Sequence, residues 1–137
     1  MLRIVFGILG VAICVSAGWQ QRIDRQRFRA MLDSTAPDRL SGIFVTTRSA
    51  STNIADPASR EEFVAALREL TRYAPNHPQY RGEKELSVAF QLEDGQQHSL
   101  RACFSVDRQD RAAYVYGPWG TYRGRLLYQF LKKHGLV

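Results

Sequence analysis

The sequence predicts a small α+β domain that follows an N-terminal hydrophobic helix, with about four antiparallel strands and two helices on one face of the sheet. Three observations predict this fold class. The first nineteen residues are almost entirely apolar, a helical pattern of apolar residues follows Asp56, and apolar and polar residues alternate between Glu85 and Val106. A length of 137 residues with 45% hydrophobic and 23% charged residues suits one globular domain.

The first element is an apolar run from Ile4 to Val15 that continues through Ala17 to Trp19. It is short for a transmembrane helix of roughly 20 residues and long enough for the apolar core of a signal peptide. Two interpretations therefore compete. In one, cleavage near Ala17 releases a secreted or periplasmic domain. In the other, which we favour, residues 1–19 are a single-pass transmembrane signal-anchor that holds the domain at the cell membrane through residues 4–19.

Residues 20–41 are predicted to form a stalk helix and a linker. The segment from Gln20 to Asp33 lacks Pro and Gly, and three apolar residues recur at helical spacing in it: Phe28, Met31 and Leu32. Four arginines directly after the apolar run favour a cytoplasmic domain by the positive-inside rule. The three-residue leader that ends at Arg3 favours the opposite orientation. We expect an extracytoplasmic domain, partly from the resemblance described below.

The folded domain is predicted over residues 42–137. Ile43 to Arg48 has β-branched residues and reads as a strand, and residues 49–55 read as a loop. Asp56 and Pro57 are typical of a helix start, and the apolar spacing extends that helix to about Tyr73. Its expected core positions are Phe63, Val64, Leu67 and Leu70.

A three-strand meander is predicted next. Two alternating strands, residues 85–92 and 98–106, flank an Asp94-Gly95 hairpin turn, and residues 112–116 form the third strand. A last helix is expected from Tyr122 to His134. One side of the meander is apolar, and the other side should be solvated or bind a partner because its residues are small and mostly polar: Ser87, Ala89, Gln91, Ser99, Arg101, Cys103 and Ser105.

This order of elements, with Asp56-Pro57 opening a helix, the Asp94-Gly95 hairpin and the aromatic strand Tyr114 to Gly117, resembles small uncharacterised domains of bacterial secreted lipoproteins and membrane-anchored proteins. The resemblance covers roughly residues 43–136. It is a pattern of elements, and the sequence departs from those lipoproteins in lacking a lipid-attachment cysteine. It implies an envelope location and assigns no catalytic residue.

Reactive side chains are few. Cys103 and His98 lie five residues apart in one predicted strand, which places them on opposite faces, so they cannot act as nucleophile and base together. The three histidines, which include His77 and His134, do not have metal-ligand spacing. We therefore expect a protein that is not an enzyme and uses no cofactor or metal. The net charge is +6, but no stretch interleaves Arg with stacking aromatics, so nucleic-acid binding is not expected.

The aromatic stretch from Tyr114 to Gly124 is the best candidate for recognition, because Tyr, Trp and Arg dominate binding hot spots. The alternative is that its rings close the edge of the core. The candidate partner-binding residues are Tyr116, Trp119, Tyr122 and Arg123.

The leading functional hypothesis is a non-enzymatic domain, tethered to the membrane, that binds a protein or another envelope component. An immunity or inhibitor protein against an envelope-acting toxin and an assembly subunit of a membrane complex are specific alternatives. An unrecognised small hydrolase is the alternative from another class. The sequence leaves the oligomeric state and the identity of the ligand open.

Overall fold

The computed structural model describes residues 2–73, 84–104 and 111–137 of the chain, and within these ranges it contains three helices and seven strands. The helices are α1 (Leu2–Ser34), α2 (Pro57–Arg68) and α3 (Arg125–Lys133), and a short 3₁₀ turn spans Pro37–Arg39. The strands are β1 (Leu40–Thr46), β2 (Ser51–Ile54), β3 (Thr71–Arg72), β4 (Lys84–Leu92), β5 (Gln97–Phe104), β6 (Ala113–Gly117) and β7 (Gly120–Gly124). The fold is α+β, as the sequence predicts.

The strands form one sheet in the order β2-β1-β4-β5-β6-β7-β3, and all neighbouring pairs are antiparallel. The centre of this sheet is the predicted β4–β5 hairpin. Its turn contains Gly95 at φ +86°, a conformation that favours glycine, and the Asp94 carboxylate accepts a hydrogen bond from the Gln96 amide at 3.0 Å. In β4 every second residue from Leu86 to Leu92 is buried, which confirms the predicted alternation.

Helix α2 begins where the sequence predicts. The Asp56 carboxylate caps it by accepting a hydrogen bond from the Ser59 amide at 2.8 Å, and Pro57 occupies its first turn. The helix ends at Arg68, however, and the next residues pair with β7 as strand β3, with Thr71 opposite Arg123. Tertiary pairing thus overrides the helical pattern that extended to Tyr73.

The sheet has seven strands where the sequence predicts about four. The sequence does not predict strand β2, because three of its four residues are exposed and the strand therefore shows no alternation of apolar and polar residues. Strand β7 follows a two-residue turn at Pro118 and Trp119, where Gly120 adopts φ +110°. The residues after the predicted third strand therefore continue the sheet as a hairpin, and α3 begins at Arg125 instead of Tyr122. The predicted loop at residues 76–82 lies outside the described residues, as does most of the turn at residues 107–111.

The core lies between one face of the sheet and the helices. Phe63 of α2 is central to it, since its ring centroid lies 5.3 Å from that of Phe90 on β4 and 5.4 Å from that of Phe130 on α3. All three rings are at most 3% exposed. Burial of such aromatic and aliphatic side chains is the main stabilising contribution in this fold.

The C-terminal end of α1 belongs to this core. Phe28 stacks on Tyr122 of β7 with ring centroids 3.9 Å apart, and Met31 is 3% exposed. At the helix end the Thr35 hydroxyl, itself buried, donates to the Met31 carbonyl at 2.7 Å. This differs from the expected stalk, because the one-sided apolar set of α1 covers the sheet instead of separating the domain from the first segment.

The prediction of a transmembrane, single-pass signal-anchor is wrong. Within the residues whose side chains the structure describes (16–73, 84–104 and 111–137), no helix has both the length and the apolar character that crossing a bilayer requires. The physical reason is that the part of α1 from residue 16 onward carries several charged residues, among them Arg22, Asp24 and Arg25, which are costly to place in a bilayer interior.

Candidate functional site

The face of the sheet turned away from the helices carries the candidate site, and we call it the outer face. Its central row crosses five strands, because Thr46, Ser87, Arg101, Tyr116 and Thr121 are successive cross-strand partners. Directly opposed residues of antiparallel strands share a face. The first three are exposed and the last two are half-buried. The outer face is therefore accessible at its centre, which fits the predicted small and polar side of the meander.

One end of the outer face is closed by aromatic rings. Cys103 and Tyr114 are cross-strand partners on it, yet they are 3% and 7% exposed. The Tyr73 ring packs edge-on against that of Tyr114 with centroids 5.1 Å apart. Cys103 thus lies in a covered corner and not in the accessible centre.

A groove of about 300 Å³ runs along the accessible part. It exists because serine occupies positions 87 and 99 on β4 and β5, so that short side chains lie beside the larger side chains of Arg101 and Tyr116. The groove is lined by Ser87, Ser99, Leu100, Arg101, Tyr116, Gly117 and Pro118. Polar donors and one aromatic wall therefore face a shared space.

Arg101 is the charged group of this groove. Its guanidinium carbon lies 5.9 Å from the centre of the Tyr116 ring, within cation–π range. One guanidinium nitrogen lies 3.4 Å from a carboxylate oxygen of Glu85, and the two side chains are 56% and 44% exposed. Because exposed ion pairs contribute only about 0–1 kcal/mol, this contact holds Arg101 weakly.

The four sequence-predicted recognition residues lie on two different faces. Tyr116 and Arg123 are on the outer face, half-buried, whereas Trp119 and Tyr122 are on the helix side at 6% and 4% exposure. Trp119 and Tyr122 both contact Phe28 of α1, with centroid distances of 6.1 and 3.9 Å. The aromatic stretch therefore places the rings of Trp119 and Tyr122 in the core and the ring of Tyr116 on the outer face.

Trp119 reaches the helix side because glycine occupies position 117. A Cβ atom there would lie 2.6 Å from two carbons of the Trp119 ring, a distance that real Cβ atoms do not tolerate. The Tyr122 hydroxyl donates to the Trp119 carbonyl at 3.4 Å. Burial raises the pKa of Tyr122, against a lowering effect of nearby Arg72. Both rings are thus fixed as core residues.

His98 and Cys103 lie on opposite faces, as their spacing predicts. His98 is on the helix side, with its ring centroid 5.3 Å from that of Phe90 and 6.3 Å from that of Trp119. Burial lowers the pKa of His98, and the nearby Asp94 carboxylate opposes this shift. Of the remaining histidines, His77 lies outside the described residues.

A serine and a histidine that the sequence does not associate meet at the helix ends. The Ser59 hydroxyl on α2 lies 3.2 Å from Nε2 of His134, which follows α3. Hydrogen bonds from Ser59 hold the pKa of Asp56 below its usual value, and the charge of His134 adds to this effect. The aspartate contacts the serine and not the histidine, so the arrangement caps a helix and does not match a nucleophile–base–carboxylate triad. No local sequence signal links positions 75 residues apart.

A larger cleft of about 860 Å³ lies at one end of the sheet, with Thr47, Lys84, Phe104 and His134 in its wall. Lys84 directly follows one of the two segments that the structure leaves out, and Phe104 directly precedes the other. The outline of this cleft is therefore given by only part of the chain, and the outer-face groove is the better-defined site.

Comparison with known proteins gives no relative: no family model, no curated protein and no solved structure matches this chain.

Proposed function

We propose that this chain is a non-enzymatic protein-binding module that contacts its partner through the outer face of its sheet. The observation that supports the proposal is the exposed groove with Arg101 and Tyr116 on the face opposite the helices. Arg and Tyr are enriched in binding hot spots, and short polar side chains between strands allow a partner to approach closely.

The size of the outer face fits such a role. The five strands of the central row give four spacings of about 4.8 Å, and strands of five to nine residues are about 17–30 Å long. The plan area is roughly 300–600 Å², a substantial part of the roughly 800 Å² that each partner contributes to a standard protein interface. A macromolecular partner therefore matches this surface better than a small molecule does.

The expected partner presents an acidic surface. Among the described strand residues, the outer face carries two basic residues, Arg101 and Arg123, and one acidic residue, Glu85, and the chain as a whole has a net charge of +6. Complementary charge steers association and selects among partners. An inhibitor or immunity protein and an assembly subunit are both specific versions of this proposal.

The geometry favours binding over hydrolysis. Ser59, the serine paired with a histidine, is 2% exposed, and the neighbouring Asp56 orients the serine instead of the histidine. A hydrolytic serine must reach its substrate and needs a base that a third group orients.

Site-specific photo-cross-linking tests the proposal. A photoreactive residue replaces Ser99 on the outer face of the full-length chain or, as a control, Glu61 on the exposed side of α2. We expect one protein to be cross-linked from position 99 and not from position 61 in cells of the source organism. The identified protein must then bind the purified chain, and Ser99→Trp, which fills the groove, should weaken that binding at least tenfold. Identical cross-links from both positions, or undiminished binding of Ser99→Trp, would refute the proposal.

A further inference from the structure

We infer that the groove binds the side-chain carboxylate of an Asp or Glu in an exposed segment of the partner, with Arg101 as the anchor and the Tyr116–Pro118 wall contacting an adjacent apolar or aromatic residue. The inference rests on the proposed function and names the chemistry that the same site recognises. The groove volume of about 300 Å³ is at the lower end of the range for ligand pockets, roughly 300–1,000 Å³, which suits one or two side chains.

Arg101 is placed to accept a new carboxylate. Its contact with Glu85 at 3.4 Å is longer than the about 2.7–2.9 Å of a good charge-assisted hydrogen bond. A guanidinium carries five N–H donors in a planar fork, which matches both oxygens of a carboxylate at once. A carboxylate of the partner that binds in this manner makes a better pair than Glu85 does.

Glu85 acts as an internal competitor in this arrangement. Glu85 lies two residues along β4 from Ser87, the direct partner of Arg101, so it reaches the guanidinium diagonally on the same face. Both side chains are about half exposed, and little free energy is therefore lost when the pair separates. Removal of the Glu85 charge should leave Arg101 in place, near the Tyr116 ring, and free it for an incoming carboxylate.

The surrounding side chains define what accompanies the carboxylate. The Tyr116 ring and Pro118 form an apolar wall on one side of the groove, and the hydroxyls of Ser87 and Ser99 provide hydrogen-bonding groups along its floor. A hydroxyl both donates and accepts, so these serines suit the backbone of an extended segment. The expected ligand is thus an acidic residue next to an aromatic or aliphatic one.

Binding of designed peptides to the isotope-labelled full-length chain tests this inference by nuclear magnetic resonance. The probe is the peptide Gly-Glu-Tyr-Glu-Gly with both termini blocked. Two control peptides carry Gln for each Glu, one blocked and one with a free C-terminus. We expect amide shifts at Ser87, Ser99 and Tyr116, and at least tenfold weaker binding of both control peptides.

Three charge variants complete the test. Arg101→Gln should weaken binding of the acidic peptide about tenfold, because a hydrogen bond to a charged group is lost. Glu85→Gln should strengthen it about two- to fivefold by removing the competitor. Arg68→Gln makes the same change of charge on the exposed side of α2 and should leave binding unchanged.

Several results would overturn the inference. These are equal binding of the acidic and blocked Gln peptides, tight binding of the Gln peptide with the free C-terminus alone, or equal effects of Arg101→Gln and Arg68→Gln. The cross-linked partner separates this inference from the proposed function. If that partner binds Arg101→Gln normally but not Ser99→Trp, the carboxylate inference fails and the outer face still stands as the interface. If neither variant changes binding, both proposals fail.

Discussion

Replacement of Phe28 by alanine tests whether α1 is an integral part of the folded domain. The Phe28 side chain is 7% exposed and stacks on Tyr122 at a centroid distance of 3.9 Å, with the Trp119 ring 6.1 Å away. These aromatic contacts join the first helix to β7 and to the turn that precedes it. A variant that lacks the ring keeps good helix propensity, since alanine is the best helix former. Any loss of stability therefore reports the packing and not the helix itself.

The expected loss is about 3 kcal/mol. Buried Phe→Ala substitutions cost about 3–5 kcal/mol, of which an aromatic pair contributes about 0.5–1.5 kcal/mol. Phe28 packs on β7 near the edge of the sheet, where only the two-residue strand β3 lies beyond β7. Neighbouring rings can move into part of the cavity there, which places the value at the low end of the range. This is a large share of a total stability of about 5–15 kcal/mol.

Urea unfolding of the full-length chain, followed by tryptophan fluorescence and by circular dichroism, measures this loss. The matched control is Trp19→Ala on the same helix, where the side chain is 68% exposed and the cost should stay below about 0.5 kcal/mol. Because that control removes one fluorophore, circular dichroism provides the common signal. If Phe28→Ala costs no more than Trp19→Ala, α1 does not contribute to the core and the packing described above is refuted.

Three further predictions concern a close contact, a titration and a buried hydroxyl. Gly117→Ala should cost about 1–3 kcal/mol in urea unfolding, because the new Cβ would lie 2.6 Å from two carbons of the buried Trp119 ring; a neutral effect would contradict this contact. Burial lowers the pKa of His98 in the folded protein, so below about pH 6.5 the unfolded chain binds a proton at His98 more readily than the folded chain does. The protein should therefore lose stability as the pH falls below that value. His98→Gln should reduce the difference in unfolding free energy between pH 7.5 and 5.5, and an unchanged difference would count against this effect. Ser59→Ala should lower the free energy of unfolding by about 0.5–1.5 kcal/mol, because the hydrogen bond between Ser59 and His134 is lost. A larger loss would contradict the view that Ser59 only joins two helix ends.

The sequence predicts well those elements whose local pattern agrees with their burial. The β4–β5 hairpin has clear alternation and an Asp94-Gly95 turn, and α2 has a capping Asp56 followed by proline, so both elements begin where predicted. Local and tertiary preferences point the same way at these positions. The separation of His98 and Cys103 onto two faces follows from the same alternation.

The missed strands are those for which pairing, not pattern, decides the structure. Strand β2 has one buried residue, Ile54, and is held as an edge strand by its register with β1. Strand β3 comprises two exposed residues, and only pairing with β7 defines it. β propensity depends on neighbours in this way, so a local reading has little to detect.

The position of the candidate site depends on one two-residue turn. If the strand simply ended at Pro118 and Trp119, the aromatic residues of this stretch would form a single cluster. Because these two residues form a hairpin turn, the aromatic residues alternate between the two faces of the sheet. Strand alternation alone places Ser87, Ser99 and Arg101 together, but only the β5–β6 register brings Tyr116 beside Arg101. Cross-strand register is a long-range property that the spacing of residues along the chain does not encode. The groove is therefore formed by pairing of strands that the sequence identifies one at a time.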